Sequence, residues 1–473
     1  MSGASETLTT ESMKTRPTSP CSTSTRRRDF IKVLGASAAA APFAVPAITR
    51  AEPNSKLQHA CVGVGGMGGV DLGNILNHGG TEVVALCDVD KGNLERASKR
   101  VPGARLYTDW REMLAKEGDK IDSVNAAIPD HMHAAVAMSA LRAGKHVYCQ
   151  KPLCHDVAEV RALTELSIKA GKVTQLGTQH ASGFGDRMTV QHLRNRAIGK
   201  IKHVYLGSNR TGAKPYRLAG PRPEKTVAPP ANLDWDLWIG NAPERGFSPE
   251  IYHPMRWRAW QDFGTGWSGD IGCHIFDAVW KGLEIEAAPK SVIAEVQDSW
   301  KNDAKRRADV WPQADHITWV FPGNDYTEKD EITFEWFDGD FYPPKEVMDI
   351  YPGQRFPEEF AMLIGTEGAL LLPHTSGPQL FPKEKFKDVP RPQLEKRNHY
   401  HHFLDGCLGK VKNESHFAQT GPMTEAILLG TVAIREPGKK LDWDAKNMTF
   451  PNAPEAEKHL RRSYRKGWEV EGL

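Results

Sequence analysis

The chain has 473 residues, with 61 Lys plus Arg against 59 Asp plus Glu and a formal net charge of +2. That length exceeds what one hydrophobic core holds, so two domains with additional segments are expected. The near balance of charge argues against a nucleic-acid partner, and no interior apolar run is long enough to make a stable membrane anchor.

Residues 1–25 are polar and rich in Ser and Thr. Arg26-Arg27-Arg28-Asp29-Phe30-Ile31-Lys32 follows, and then an Ala-rich apolar run from Val33 to Ile48, broken by Pro42 and Pro46. Paired arginines, a spacer and Phe-Ile-Lys resemble a twin-arginine export signal, with cleavage expected near Ala47 to Ala51. Residues 1–51 are therefore set apart as a signal peptide. The twin-arginine translocase is an expected partner and the periplasm the expected destination. A disordered basic tail is the alternative. Because that route exports folded proteins, folding occurs in the reducing cytoplasm and no disulfide framework is expected. The seven cysteines, Cys21, Cys61, Cys87, Cys149, Cys154, Cys273 and Cys407, form no CxxC pair and read as small core hydrophobes.

The strongest local signal runs from Leu57 to Asp90. The apolar run Ala60-Cys61-Val62 meets the turn Gly63-Val64-Gly65-Gly66-Met67-Gly68, and a second run, Glu82 to Cys87, ends on Asp88. This is strand, phosphate turn, helix, strand, acid. The glycines permit the tight turn, the approach of a pyrophosphate and close helix–strand packing, and the pyrophosphate then sits at a helix N-terminus. Asp88, about 20 residues past Gly68, is placed to hold a ribose 2′-hydroxyl. A carboxylate there repels a 2′-phosphate, and the neighbouring Lys91 is the one nearby cation, so NAD is favoured over NADP.

The pattern continues in strand–helix steps. Leu94–Arg100 and Trp110–Glu117 read as helices and Ile121–Ile128 as a buried strand. A helix starts around Pro129–His133 and runs to Gly144. His146–Cys149 is a strand, Val157–Ala170 a helix stopped by Gly171, and Val173–Gly177 a strand. The fold class is α/β: residues 56–178 form a doubly wound, mostly parallel Rossmann sheet. Ligands in such sheets bind at the carboxyl ends of strands, which gathers Pro129, Asp130, His133, Gln150, Lys151, Gln179 and His180 at one crevice.

The runs Ala127-Ile128-Pro129-Asp130-His131-Met132-His133 and Ala143-Gly144-Lys145-His146-Val147-Tyr148-Cys149-Gln150-Lys151-Pro152-Leu153 resemble the Gfo/Idh/MocA family, which includes glucose–fructose oxidoreductase and inositol dehydrogenases. The hallmark of that family is a Glu-Lys-Pro turn with a catalytic lysine, which falls on Lys151. Gln150 replaces the glutamate. An amide still hydrogen-bonds a ribose, but a carboxylate that would hold the lysine's proton is gone, so a lowered Lys151 pKa is expected. A solvated surface lysine is the alternative.

From residue 179 to 473 the chain reads as an α+β domain with an open, largely antiparallel sheet, as in the family's C-terminal domain. Val204–Ser208, Ser291–Val296, His316–Phe321 and Glu331–Phe337 alternate as strands, and Met362–Leu372 reads as a hairpin. Residues 212–265 look like a long loop insertion over the crevice. Gly264-Thr265-Gly266-Trp267-Ser268-Gly269-Asp270-Ile271-Gly272-Cys273-His274-Ile275-Phe276-Asp277 turns into a helix that Asp270 is expected to begin, with its charge suited to the dipole. Asp270, His274 and Asp277 share one helical face. The family carries an Asp-x-x-x-His pair that works with the lysine, and the match falls on Asp270 and His274. A metal site or a helix cap are the alternatives for this face, and no second ligand cluster stands out, so no metal is expected. The other histidine cluster, His399, His401 and His402, reads as a loop or helix start. Arg258, among tryptophans, is a candidate substrate ligand, as are Gln179, His180 and Asp277; a packed loop with solvated arginines is the alternative. Thr420–Arg435 reads as an amphipathic helix that packs back toward the first domain, and Leu441–Asp444 as a terminal strand.

The resemblance implies an NAD(P)-dependent oxidoreductase acting on a secondary alcohol of a sugar, glycoside or cyclitol. His274 would take the hydroxyl proton, Asp270 would orient the imidazole and Lys151 would stabilise the alkoxide. Homo-oligomers through the C-terminal sheet are also implied. A redox-assisted glycoside hydrolase or lyase with a tightly held, recycled NAD is the competing reading, and a non-catalytic sugar or nucleotide binder the third.

Overall fold

Leu57 to Val62 is buried at every position but Gln58, a pattern that suits a strand covered on both faces. In the computed structural model, which describes residues 56–211, 217–352 and 355–473, it is the central strand β1 (Leu57–Val62) of a parallel sheet. The expected export signal lies outside the described residues.

The chain continues through α1 (Gly66–Leu76), β2 (Thr81–Cys87), α2 (Lys91–Arg100), β3 (Arg105–Tyr107), α3 (Trp110–Glu117), β4 (Ser123–Ala126), α4 (His133–Arg142), β5 (His146–Cys149), α5 (Val157–Ala170) and β6 (Thr174–Leu176). The six strands lie in the order β3-β2-β1-β4-β5-β6, every neighbouring pair parallel. The order reverses between β1 and β4, the switch point where α/β sheets bind ligands. Local chemistry sets the helix ends. Asp90, Asp109 and Asp156 cap α2, α3 and α5 through backbone N–H groups, and Gly171 stops α5 at φ 62°.

The second half contains α6 (Phe184–Arg194), β7 (Ile201–Ser208), α7 (Trp235–Ile239), α8 (Gly266–Gly282), β8 (Ser291–Val296), β9 (Asp315–Pro322), β10 (Glu331–Asp338), β11 (Glu359–Gly365), β12 (Ala369–Pro373), β13 (Gln379–Phe381), α9 (His399–Cys407), α10 (Phe417–Arg435) and β14 (Leu441–Asp442). Its eight strands run β13-β12-β11-β7-β10-β9-β8-β14. Neighbours are antiparallel except β7 and β10, which are parallel. Burial alternates strictly along β9. Ile317, Trp319 and Phe321 point inward with Ile332, Phe334 and Trp336, and Phe276 of α8 lies against Trp319 and Phe334. The expected α/β class, a Rossmann sheet followed by a largely antiparallel second sheet, describes both halves.

One expectation changes. The segment around Thr420–Arg435 is not amphipathic: α10 is buried on every side from Thr420 to Ile434 apart from Pro422. The reason is its place between the two halves. Arg161 of α5 reaches Glu425 at 2.6 Å, and Trp319 of β9 donates to the Ala426 carbonyl at 2.8 Å. The described part of residues 212–265 is a long, mostly irregular segment that is packed down on the fold. Trp235, Trp238, Tyr252 and Phe263 pack ring on ring, and Asn241 donates to the His131 carbonyl at 2.9 Å. This aromatic cluster binds the segment to the Rossmann half.

Candidate active site

The glycine turn is shaped by close approach. At Gly63, φ is +80° and a Cβ would overlap the Ala127 carbonyl; at Gly68 a Cβ would overlap the Gly63 carbonyl. Both are needed so that α1 can start against β1 and β4. Helix α1 begins after Gly65 with no side-chain cap, so its first N–H groups are left for an anion. Gly66 sits at φ +46° with nothing within 4 Å of where its Cβ would be, and Met67 beside it is 51% exposed. At the end of β2, Asp88 accepts from the Val64 and Asp90 backbone N–H groups at 2.9 and 2.8 Å. A carboxylate has roughly four acceptor positions, so capacity remains for ribose hydroxyls. An uncapped helix start, an open glycine backbone and a fixed carboxylate together fit a dinucleotide.

The edge of this crevice is fastened. Asn232 donates to Asp90 Oδ1 at 2.8 Å and its carbonyl accepts from Lys91 N at 2.8 Å. Asp234 N donates to the Val89 carbonyl at 3.0 Å, and His253 Nε2 lies 3.0 Å from Asp90 Oδ2. The 232–253 segment therefore straps the loop that follows Asp88.

At the other end of the crevice, Lys151 projects from the turn after β5. Its Nζ donates to Asp270 Oδ1 at 2.7 Å and to the Asp270 carbonyl at 3.1 Å. Arg258 Nε donates to the same Oδ1 at 3.3 Å. Burial alone would raise the Asp270 pKa, but the Lys151 and Arg258 charges hold it below the ordinary carboxylate value. One turn along α8, His274 meets two further histidines: ring centroids are 5.8 Å to His180 and 5.4 Å to His374, and His180 and His374 are 4.6 Å apart. Burial, then the Lys151, His374 and His180 charges, push His274 well below its usual pKa. His374 falls to about 4, chiefly by burial. The imidazoles are thus neutral at neutral pH and able to accept a proton. Among the described residues, no group of three or more His, Cys, Asp or Glu is arranged to hold a metal ion.

Several sequence-derived placements are corrected here. Asp270 does not begin its helix; α8 starts at Gly266, so Asp270 lies in the second turn, beyond the reach of the N-terminal dipole. Its carboxylate holds Lys151 and Arg258 rather than His274, whose Nδ1 is buried without a hydrogen-bond partner. The Gln150 amide is engaged within the protein: its Nε2 donates to both oxygens of Asp71 at 2.9 Å, and its Oε1 accepts from Gln179 at 3.3 Å. The carboxylate next to Lys151 is supplied by Asp270, so the expected loss of a charge partner does not occur. His133 is 1% exposed, with ring nitrogens 2.6 Å from the Pro152 carbonyl and 2.8 Å from the Ile128 carbonyl, and faces no ligand. Asp130 is also buried; it accepts from Thr265 N and Oγ1 at 3.2 and 3.0 Å, and burial with the Asp270 charge raises it to about 7. Asp277 is a buried partner of Lys281 at 2.8 Å rather than a substrate ligand. His399 is buried as well, 2.8 Å from the Leu176 carbonyl and 2.9 Å from Ser182 Oγ. Pro129 and Gln179 are half-buried at the crevice.

Four site residues carried no sequence signal. His374, beyond the hairpin strand β12, joins the histidine group, and Asp71 anchors Gln150 and Tyr400. Arg210 and Arg217 lie over the Trp267 ring, at 5.2 and 4.8 Å from its centroid. None of the four stands in a motif with its partners, and only the fold brings them near.

Comparisons with known proteins follow the same division. Residues 57–178 match the Gfo/Idh/MocA model described as the oxidoreductase family's NAD-binding Rossmann fold, and residues 208–350 match that described as its C-terminal alpha/beta domain. Between them they cover more than half of the chain. An inositol 2-dehydrogenase of Salmonella typhimurium is 33% identical over 124 residues, which is 26% of this chain and 36% of that protein. The match thus spans about a third of the length of such relatives. Among solved structures, the WlbA dehydrogenase from Chromobacterium violaceum, in complex with NADH and UDP-GlcNAcA, has a TM-score of 0.58 at 16% identity, covering 83% of this chain and 98% of that one. An inositol dehydrogenase homolog from Azotobacter vinelandii, complexed with NADH and myo-inositol, has a TM-score of 0.53 at 16% identity, covering 82% and 98%. At these identities the likeness is one of fold.

Proposed function

The chain belongs to the Gfo/Idh/MocA oxidoreductase family, and from that premise we propose that it is an NAD-dependent oxidoreductase acting on a secondary alcohol of a carbohydrate or cyclitol. The observation that carries this is the Lys151–Asp270 pair at 2.7 Å near a neutral, half-buried His274. A bound nicotinamide dinucleotide supplies the hydride acceptor. Asp270 positions the Lys151 ammonium, and Lys151 donates a hydrogen bond to the alcohol oxygen and stabilises its negative charge as it develops. His274 accepts the hydroxyl proton. Asp88 favours a free ribose 2′-hydroxyl over a phosphorylated one, which is the basis for choosing NAD over NADP.

The test is a panel of sugars and cyclitols with NAD and, separately, NADP. Reduction of NAD by at least one of them, lost in Lys151→Ala and His274→Ala, is the expected result. Wild-type rates in either variant would overturn the assignment.

The strap on Asp90 supports a second reading of the same centre. A cofactor held under it suits a closed redox cycle, in which a glycosidic bond is cleaved and the redox equivalents return within each turnover. Glycoside cleavage without net NADH would select this reading. Export by the twin-arginine route to the periplasm, with the cofactor already loaded, is part of the proposal, and cell fractionation checks it. So is a homo-oligomer formed through the outer face of the second sheet, checked by sedimentation.

A further inference from the structure

Histidines that serve the fold of this chain have protein partners. His131 Nε2 lies 3.1 Å from the Ile239 carbonyl, His133 Nδ1 2.6 Å from that of Pro152, His155 Nε2 2.8 Å from that of Gln261 and His399 Nε2 2.8 Å from that of Leu176. The three imidazoles of the crevice do not. Among the described residues, no protein group hydrogen-bonds the rings of His180, His274 or His374. All three are half-buried, and each ring stands within 5.8 Å of the other two, centroid to centroid. The Lys151 charge acts on His274 and on His374, so both lie at the reacting end of the crevice. The proposed chemistry uses His274 and leaves the other two unexplained.

The backbone fixes His374 firmly. Its N–H donates to the Glu359 carbonyl at 2.9 Å. Thr375, the next residue, has φ +66°, in the left-handed region that a β-branched residue rarely enters. The turn it makes is seated on α6, the helix that follows His180: a Cβ on Gly185 would overlap the Ser376 carbonyl, so a glycine is needed for the two segments to meet. Backbone strain of this kind clusters where a fold aims a functional side chain. A neutral imidazole donates through one nitrogen and accepts through the other, as a hydroxyl does, so the two are matched. The alcohol oxygen that reacts is served by Lys151 and His274. His374 is left for another oxygen. Its ring lies 5.4 Å from His274 and 4.6 Å from His180, a spacing that suits hydroxyls on neighbouring carbons rather than at opposite ends of a sugar. In a crevice that loses its water, a substrate without that second hydroxyl would leave the imidazole unpaired.

We infer that His374, with His180 beside it, binds a second hydroxyl of the substrate on a carbon next to the one oxidised, and so selects a vicinal diol over an isolated secondary alcohol. The inference rests on the oxidoreductase reading of the crevice and deepens it. It is tested on the full chain loaded with NAD, by calorimetric titration with D-glucose, D-galactose and myo-inositol and with the monodeoxy forms of each. At least one parent is expected to bind, and one of its monodeoxy forms to bind about five-fold or more weakly. His374→Phe keeps a ring but neither nitrogen. It should lower the parent's affinity to that of this deoxy form and leave the deoxy form's own affinity unchanged. His374→Ala gives the same comparison without the ring, and His374→Gln, which keeps a donor and an acceptor, should recover part of the loss. Melting temperatures check that the variants fold. A loss shared equally by the parent and all its deoxy forms marks a merely structural role and overturns the inference. Wild-type affinity in folded His374→Phe or His374→Ala overturns it too, as does a wild type that binds no parent. The oxidoreductase reading is judged separately by NAD reduction. Coupling between His374 and one hydroxyl without hydride transfer keeps the contact and removes that reading; NAD reduction that treats the parent and its deoxy forms alike does the reverse.

Discussion

Lys151 and Asp270 are 119 residues apart in the chain and 2.7 Å apart in the fold. One stands at the end of a Rossmann strand and the other in the second turn of α8 in the C-terminal half. Their contact closes the crevice between the two halves at the point where the chemistry is proposed.

Removing either partner should separate charge from position. Lys151→Met is expected to lower kcat by about 10²–10³, the loss typical of a donor aimed at a developing oxyanion, while NADH still binds. Asp270→Asn keeps the ammonium but loosens it, so a smaller fall is expected. Steady-state kinetics with parallel NADH fluorescence titration distinguishes the two. A Lys151→Met enzyme of unchanged kcat would remove the lysine from the mechanism.

The pH profile should report His274. Burial and neighbouring cations lower the His274 pKa well below its ordinary 6.5, so the base form is already populated at neutral pH. Activity falls only when the imidazole is protonated, which places the acid limb of kcat/KM below pH 6.5. Replacing His374 by Gln removes a neighbour that lowers the His274 pKa, and the limb should move up toward that value. An acid limb above pH 6.5 in the wild type would contradict the assignment.

Asp90, Asn232 and His253 should govern retention of the cofactor. Asn232→Ala with His253→Ala removes two of the side-chain contacts that fasten the strap, at 2.8 and 3.0 Å. Nicotinamide recovered with the protein after gel filtration is expected to drop in the double variant. Recovery equal to the wild type would show that the strap does not hold it.

The outer face of the second sheet makes a prediction for stability. Glu335 accepts from His203 at 2.6 Å and from His316 at 2.7 Å. Burial opposes its ionisation, yet these two hydrogen bonds and the histidine charges hold its pKa at about 2, below the ordinary 4.5. A depressed carboxylate pKa contributes stability that is present above the unfolded value and is lost as pH falls through the folded one. Melting temperature should therefore decline between about pH 4.5 and pH 2, and Glu335→Gln should flatten that part of the curve. An unchanged slope in the variant would show that the bridge contributes nothing.

What could be read from the chain was local or periodic. The glycine turn from Gly63 to Gly68 and the acid at Asp88 are short-range signals, because the turn geometry and the strand–helix step act within about 30 residues. The four-residue spacing of Asp270 and His274 required only the helical period, and the strict alternation in β9 only the pleat. The two-sheet architecture was legible for the same reason. The helix at Thr420–Arg435 was legible too, but its burial on every side was not, because its neighbours come from distant parts of the chain.

Tertiary structure decided the chemistry. It set Gln150 against Asp71, gave Asp270 to Lys151 instead of His274, buried His133 and Asp277 in structural contacts, and brought His374 and Arg210 to a crevice from which they are distant in sequence. A hydrogen bond or a depressed pKa depends on distances of a few ångströms between side chains on different elements. Local propensity specifies each element, and only their packing against one another specifies those distances.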